Sequence, residues 1–207
     1  MAHRQTESTG IGLAQATAVL VLGGYSFKLA GTPDEQNQIE CLLHRTFVVE
    51  VRQDEDTGTG RLIDKFHYKN KYIVAKKNDH VCGVMAIHDQ PPFSAASALD
   101  DSGFLEQLCP RLLEVRRLAI EPTKRSGVVF PGLIWSVYEY AGGGGYRYIV
   151  MSGLLERQGM YEKMGFRQLG QAVRKGAAFF VPMLVDLLEL PKTVQQDRDR
   201  WRRRIGQ

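Results

Sequence analysis

From Leu112 to Phe166 the chain reads LLEVRRLAIEPTKRSGVVFPGLIWSVYEYAGGGGYRYIVMSGLLERQGMYEKMGF, and this stretch limits the fold more than any other. Leu112–Ile120 is apolar and branched enough for a buried strand, interrupted by Glu114, Arg116 and Arg117. Glu121-Pro122 ends it, because proline has no N–H with which to continue a ladder. Lys124-Arg125-Ser126-Gly127 forms a basic glycine turn, after which Val128, Leu133, Val137 and Ala141 repeat near the helical period. Gly142–Gly145 stop that helix and turn the chain into a second strand, Tyr146–Ser152, followed by a short helix carrying Tyr161. Strand, helix and strand in this order predict a parallel pair joined by a helical crossover. A basic turn that opens a helix also brings backbone N–H groups together where a phosphate can sit.

The rest of the chain supplies flanking strands and helices. Tyr25–Ala30 alternates like a strand, and Thr32-Pro33-Asp34-Glu35 is a helix start with Thr32 as N-cap and acids in the first turn. The helix that follows carries Ile39, Leu42, Leu43, Phe47 and Val48 on one side. Gln53–Gly60 reads as a mobile acidic loop. Lys71–Lys76 and Val81–Ile87 are strands joined through the turn pair Asn78-Asp79 and closed by Pro91-Pro92. Ser94–Gln107 is a polar connection with a helical second half, and Arg167–Val173 and Ala177–Leu187 are two further strand-like runs around Lys175-Gly176. The sum is an α/β (α+β) domain over residues 25–190, with a central mixed sheet flanked by helices. It is preceded by an arm over 1–24 and followed by a basic tail over 191–207, read as a solvated helix end or a disordered arm. Within the arm, residues 11–24 read as a packing segment or short helix, too short to span a bilayer.

Composition narrows the functional classes. A net charge of +4 points to an anionic partner, but Lys192–Arg204 carries six basic against two acidic residues, the chain's whole formal excess. The body is therefore near neutral, and no nucleic-acid-reading surface is indicated. Cys41, Cys82 and Cys109 are odd in number and scattered, with no zinc spacing. Reduced thiols in a cytoplasmic protein without a bound metal are expected.

Two motifs carry a family resemblance. Met160-Tyr161-Glu162-Lys163-Met164-Gly165-Phe166 closely resembles the Leu-Tyr-Glu-Lys-Leu-Gly-Phe signature of the GNAT (Gcn5-related) N-acyltransferases. Lys124–Val129 resembles their Arg/Gln-x-x-Gly-x-Gly/Ala pyrophosphate loop, with Lys124 as the basic first residue, Gly127 matching, and Val129 departing from the small last residue. Glu114-x-x-Arg117, with Arg45-x-Phe47 and Asp64-x-Phe66 upstream, is similar to the acyl-homoserine-lactone synthases and the long-chain N-acyl amino acid synthases beside them. His67 stands where a second acid is found there, and no Arg follows Gly83.

The resemblance implies a GNAT fold whose sheet splays between its two parallel middle strands. It implies acyl transfer from acyl-CoA or an acyl-phosphopantetheine on acyl carrier protein to a small amine or amino acid. Backbone groups of Leu118, Ala119 and Ile120 would hold the phosphopantetheine arm, and Lys124, Arg125, Ser126, Gly127 and Val128 its phosphate. Tyr161 would protonate the departing thiolate, a phenol of pKa near 10 facing a thiol of about 8.5; the plain alternative is a core tyrosine. Glu114 would be the amine-side base or orienter, or else one half of a structural ion pair. Arg116, Arg117 and Ser152 would bind the acceptor. Strand alternation puts Glu114 and Arg116 on one face and Arg117 on the other, but a β-bulge near Arg116 would bring Arg117 round beside Glu114, and such a bulge is expected. A plain acetyl-CoA-dependent acetyltransferase and a non-catalytic binding module of the same fold are the alternatives.

Overall fold

The computed structural model describes residues 19–205; the expectations for residues 1–18 lie outside the described residues. Nine strands form one mixed sheet: β1 (Leu20–Leu22), β2 (Tyr25–Leu29), β3 (Lys71–Lys77), β4 (His80–His88), β5 (Leu112–Ile120), β6 (Tyr148–Leu154), β7 (Arg167–Gln168), β8 (Val173–Lys175) and β9 (Ala178–Asp186). Their order is β1-β2-β3-β4-β5-β6-β9-β7, with β8 also paired to β9. The pairing of β5 with β6 is parallel, as the crossover requires, and the others are antiparallel. This is the GNAT fold.

The helices form for the local reasons visible in the sequence. In α1 (Pro33–His44) the Thr32 side chain accepts from the Glu35 N–H, Pro33 opens the first turn, and Asp34 and Glu35 face the positive end of the helix dipole. The chain continues as a wider π-type turn over Arg45–Glu50. Ile39, Leu42, Leu43 and Phe47 pack on Tyr72, Val74, Val84 and Ala86. Ile73, Ala75, Met85 and Ile87, the alternate residues of the same strands, face the opposite layer with Leu133 and Val137 of α2 (Val129–Gly143). One sheet thus feeds two cores through its period of two.

Close approach of α2 to the sheet depends on Gly132, where an added Cβ would lie 2.1 Å from Phe27 Cζ. Gly132→Ala is expected to cost about 1–3 kcal/mol of stability by overpacking, exceeding the roughly 1 kcal/mol that Ala gains over Gly in a helix. A lower urea midpoint at unchanged slope would show it.

Three segments differ from the sequence reading. Residues 20–22, assigned to the arm, are an edge strand on β2, because Leu20 finds a place in the α2 core. The connection after β4 has short 3₁₀ turns at Ser94–Ala98 and Glu106–Leu108 rather than a helical second half. It also buries Phe93, Ala95 and Leu105 against Leu112, Val150 and Leu184, so it caps the sheet. The basic tail, read as a solvated helix end or a disordered arm, is a mostly exposed helix α4 (Lys192–Ile205) that differs from that reading only in being anchored; Val194 is buried and the Trp201 ring lies 6.1 Å from that of Trp135. Among the described residues no helix is long and apolar enough to cross a membrane, and the three cysteines are free thiols.

Candidate active site

The two parallel strands part company halfway along. Their register runs from Leu112↔Tyr148 to Val115↔Met151 and ends there, although β5 continues to Ile120 and β6 to Leu154. Beyond Val115, β5 pairs only with β4 (Val84↔Ala119, Gly83↔Ile120), and the register slips between Val84 and Ala86. The slip is a bulge at Arg117-Leu118, and Arg117 takes φ 52°. Its effect shows in the side chains. Leu113 and Val115 face the α2 core, yet so do Leu118 and Ile120, while Ala119 faces the α1 core. An extra residue has inverted the alternation. Glu114, Arg116 and Arg117 therefore share one face, as the expected bulge would have it.

Asp64 ties that face together. Its Oδ1 accepts from Arg116 Nη1 at 2.5 Å and its Oδ2 from Arg117 Nε at 2.6 Å. Arg117 also forks onto Asp54 at 2.5 and 2.9 Å. Burial alone would push the Asp64 carboxyl up, but the two guanidiniums and the Phe66 N–H pull it down to about 2. Arg117 is thus engaged on Nε and both terminal nitrogens. Arg116 uses Nε on the Ser94 hydroxyl and Nη1 on Asp64; among the described residues no hydrogen bond engages its Nη2, and Arg116 borders the cleft.

Glu114 is fully buried and lines neither cavity of the site. Its oxygens accept from Ser94 N–H, Ser94 Oγ and Ala95 N–H, each at 2.8 Å. His88 Nε2 is 2.8 Å away but out of line for a hydrogen bond, with its ring stacked on Phe93. Burial raises the Glu114 carboxyl, and His88 with the Ser94 donors more than reverses this, leaving it below its ordinary value. Such a carboxylate is a weak base. It reaches the cleft only at second hand, through Ser94 and Arg116. The nearest guanidinium to Glu114 is that of Arg116, at 4.0 Å; Arg117 is joined to it through Asp64.

The splay opens a cleft of about 660 Å³, bordered by Leu118, Ile120, Phe130, Ser152, Leu154 and Tyr161. A smaller apolar cavity of about 70 Å³ continues between β5 and β6 beneath α2, walled by Met85, Val115, Ile134, Val137, Met151 and Met164. Tyr161, on α3 (Gln158–Lys163), borders both. Its ring packs on Gly153, where a Cβ would meet Cε2 at 2.5 Å. Burial holds the phenol above its ordinary pKa, although the Leu154 N–H directed at its oxygen works the other way. Ser152 is the first β6 residue past the end of the parallel register; its buried Oγ has no hydrogen-bond partner and it borders both cavities.

The expected phosphate turn sits at the start of α2. Gly127 has φ 125°, and Val128 caps the helix without a side-chain hydrogen bond, so the first-turn N–H groups are open. Pro131, third in the helix, contributes none. Ser126 and Arg125 are exposed, and Lys124 is half-buried. Arg125 is partly committed, its Nε donating to the Ile120 carbonyl at 3.1 Å and its Nη2 pairing with Glu50. Of the strand residues expected along the donor, Leu118 and Ile120 border the cleft, whereas the Ala119 side chain points into the α1 core.

Several residues of the site escaped the sequence reading. Asp54 lies in what reads as a mobile acidic loop, and His88 and Ser94 at the edges of elements; nothing local marks any of them. Lys175, read as a turn residue, borders the cleft. At the end of β5, His80, Cys82 and Glu121 bring ligand-type atoms within 4.8 Å of one another, a grouping their sequence spacing does not show. Glu121 there is already paired with Arg45.

Comparison with curated proteins gives no match. Among solved structures, the N-acyl amino acid synthase FeeM from uncultured soil microbes is similar over 83% of this chain and 97% of its own, at 16% identity and TM-score 0.62. The CoA-dependent acyl-homoserine lactone synthase BjaI, with SAM and isopentyl-CoA, is similar over 81% and 82%, at 19% identity and TM-score 0.63. The acyl-homoserine lactone synthase LasI is similar over 79% and 89%, at 16% identity and TM-score 0.62. At such identities these likenesses establish the fold. The family model of N-acyl amino acid synthase FeeM matches residues 38–185, a span holding Asp54, Asp64, Glu114, the bulge, the phosphate turn and Tyr161. The chain belongs to the N-acyl amino acid synthase FeeM family and is an enzyme that transfers acyl groups to amines.

Proposed function

We propose that this enzyme moves a long acyl chain from a phosphopantetheine thioester to the amine of an amino-acid-like acceptor by direct attack. The observation that carries this is the apolar cavity running on from the splay beneath α2. An acetyl group needs no such extension, and its methionine walls deform readily around a chain. The donor phosphate lies on the turn from Lys124 to Val128, a place that suits the phosphate next to pantetheine in both acyl-CoA and acyl carrier protein. The pantetheine arm follows β5 past Ile120 and Leu118 and delivers the thioester carbonyl to the splay at Ser152.

The acceptor enters from the Arg116 side. Its ammonium first gives up a proton to solvent, and the neutral amine attacks the carbonyl carbon. The C–N bond forms as the C–S bond breaks, the thiolate takes the Tyr161 proton, and the extra proton left on the new amide nitrogen returns through water to the Tyr161 phenolate. Glu114 is a positioning residue in this reading. It fixes the Ser94 loop, which with Asp64 aims Arg116. The acetyltransferase alternative has no observation in its favour comparable to the inner cavity. A non-catalytic module would need Tyr161 turned away from any cleft, and Tyr161 borders two.

A donor panel tests the proposal. Acetyl-CoA, palmitoyl-CoA and palmitoyl carrier protein are each mixed with pooled amino acids, and thiol release and product mass are followed. Four buried methylenes at about 0.8 kcal/mol each predict kcat/KM roughly 100-fold or more higher for the palmitoyl donors than for acetyl-CoA. Equal or better turnover of acetyl-CoA would sink the long-chain reading.

A further inference from the structure

The hairpin of β8 and β9 borders the cleft through Lys175 and Phe180. Its tip, Gly176, takes φ +62°, and a Cβ there would lie 2.3 Å from the Arg52 carbonyl oxygen. The tip is therefore docked on the backbone of Arg52 and Gln53, next to the Asp54 that holds Arg117. This docking carries Lys175 into the cleft, where it is half-buried. Among the described residues no hydrogen bond or ion pair engages its ammonium.

Its electrostatic surroundings are unbalanced. Lys175 feels Lys65, Arg116 and Arg117 as like charges, and Glu114 as an opposite one. The carboxylates that border or back this corner are spent, Asp54 and Asp64 on the two arginines and Glu50 on Arg125. Lys69, behind them, adds another cation and donates to the carbonyls of Gln90 and Pro92. Burial and the neighbouring cations together hold the Lys175 ammonium below its ordinary pKa. A half-buried cation without a partner, among other cations, is costly by itself and is relieved by an anion. The donor phosphate has its own place at the far end of β5, so this corner is left for the acceptor.

We infer that Lys175, together with the open Nη2 edge of Arg116, binds the carboxylate of the acceptor and so restricts the enzyme to carboxylate-bearing amines. This rests on the proposed acyl transfer to an amino-acid-like acceptor and assigns the group that selects it. Arg117, which the sequence alone offers equally with Arg116, is saturated by Asp54 and Asp64 and serves to hold the corner in shape. An α-amino acid whose carboxylate sits between Lys175 and Arg116, both bordering one cleft with Ser152, has its amine directed toward the splay.

The test uses the full chain, the thioester donor that turns over best, and each of the twenty amino acids. The amino acid accepted is then compared with the amine that lacks its carboxylate. A charge-assisted contact of about 1.5–3 kcal/mol corresponds to a 10- to 150-fold preference in kcat/KM for the amino acid. Lys175→Met is expected to raise the acceptor KM by about the same factor, to leave the donor KM unchanged, and to erase most of that preference. Lys175→Arg should restore most of it. The thermal midpoint of Lys175→Met should be equal to or above that of the wild type, since no partner is lost, which separates this result from unfolding. A wild-type acceptor KM in Lys175→Met would overturn the inference, as would a wild-type enzyme that acylates the bare amine equally well. If the wild type acylates no amino acid with any donor, the underlying function is refuted instead, and the inference with it.

Discussion

Tyr161→Phe is expected to lower kcat for acyl transfer by about 100-fold or more, within the range general-acid groups contribute, while changing the donor KM little. The argument starts from the leaving group. A pantetheine thiolate has a conjugate acid near pKa 8.5, so a proton delivered as the C–S bond breaks neutralises the charge on sulfur and keeps it from returning to the acyl carbon before transfer is complete. Tyr161 borders both the cleft and the inner cavity, and burial keeps its proton on at neutral pH. It is therefore available as a donor across the working range. The sign of the pH effect follows: activity that depends on this phenol is present below its raised pKa and is lost only as pH climbs beyond about 10. The Phe variant should lack that alkaline limb. Gly153→Ala offers a second probe, because its Cβ would crowd the Tyr161 ring and misplace the hydroxyl without deleting it. A Phe variant within threefold of wild type would return Tyr161 to the status of core filler.

The second large effect concerns stability. Asp64→Asn removes the charge that serves both Arg116 and Arg117, leaving two buried guanidiniums under-compensated. Breaking a buried pair from one side costs about 3–5 kcal/mol, and the acceptor KM should rise with it as Arg116 loses its aim. The same carboxylate sets an acid limit. Its folded pKa, about 2, lies below the ordinary aspartate value of about 3.9, so its stabilisation is fully present above roughly pH 4 and disappears as pH falls through about 2. Linkage puts this at about 2 kcal/mol. Urea midpoints measured from pH 5 to pH 2 should fall more steeply for the wild type than for Asp64→Asn. Parallel slopes would mean that Asp64 carries no such burden. Glu35, held between Lys28 and Lys76 and likewise lowered to about 2, should persist as an acid-labile site in both proteins.

Much of this architecture is legible in the residues alone. Leu112–Ile120 is a strand with the predicted boundaries, and α2, β6 and α3 follow in the predicted order. The Thr32 cap and the Asn78 turn are where turn chemistry places them. These features depend on spacing, branching and capping, which act within a few residues. The signature around Tyr161 is equally local, and a parallel crossover follows from it by topology.

Other features depend on what arrives from elsewhere in the chain. The tail reads as a solvated helix end or a disordered arm because its charges dominate its composition; the surface that Trp135 offers Trp201 decides for an anchored helix. Glu114 reads in sequence as a base, an orienter or one half of a structural ion pair, since one acid in an apolar strand leaves all three open. Only the fold shows it fully buried under Ser94, Ala95 and His88. Arg116 and Arg117 are equivalent in sequence; which one keeps an open edge was decided by Asp54, 63 residues away. Periodicity and capping are short-range, so the chain by itself determined the elements, their order and the basic glycine turn that opens α2. Charge compensation is long-range and depends on burial, so only the tertiary structure decided that Asp54 and Asp64 engage Arg117 while Lys175 borders the cleft without an ion pair among the described residues.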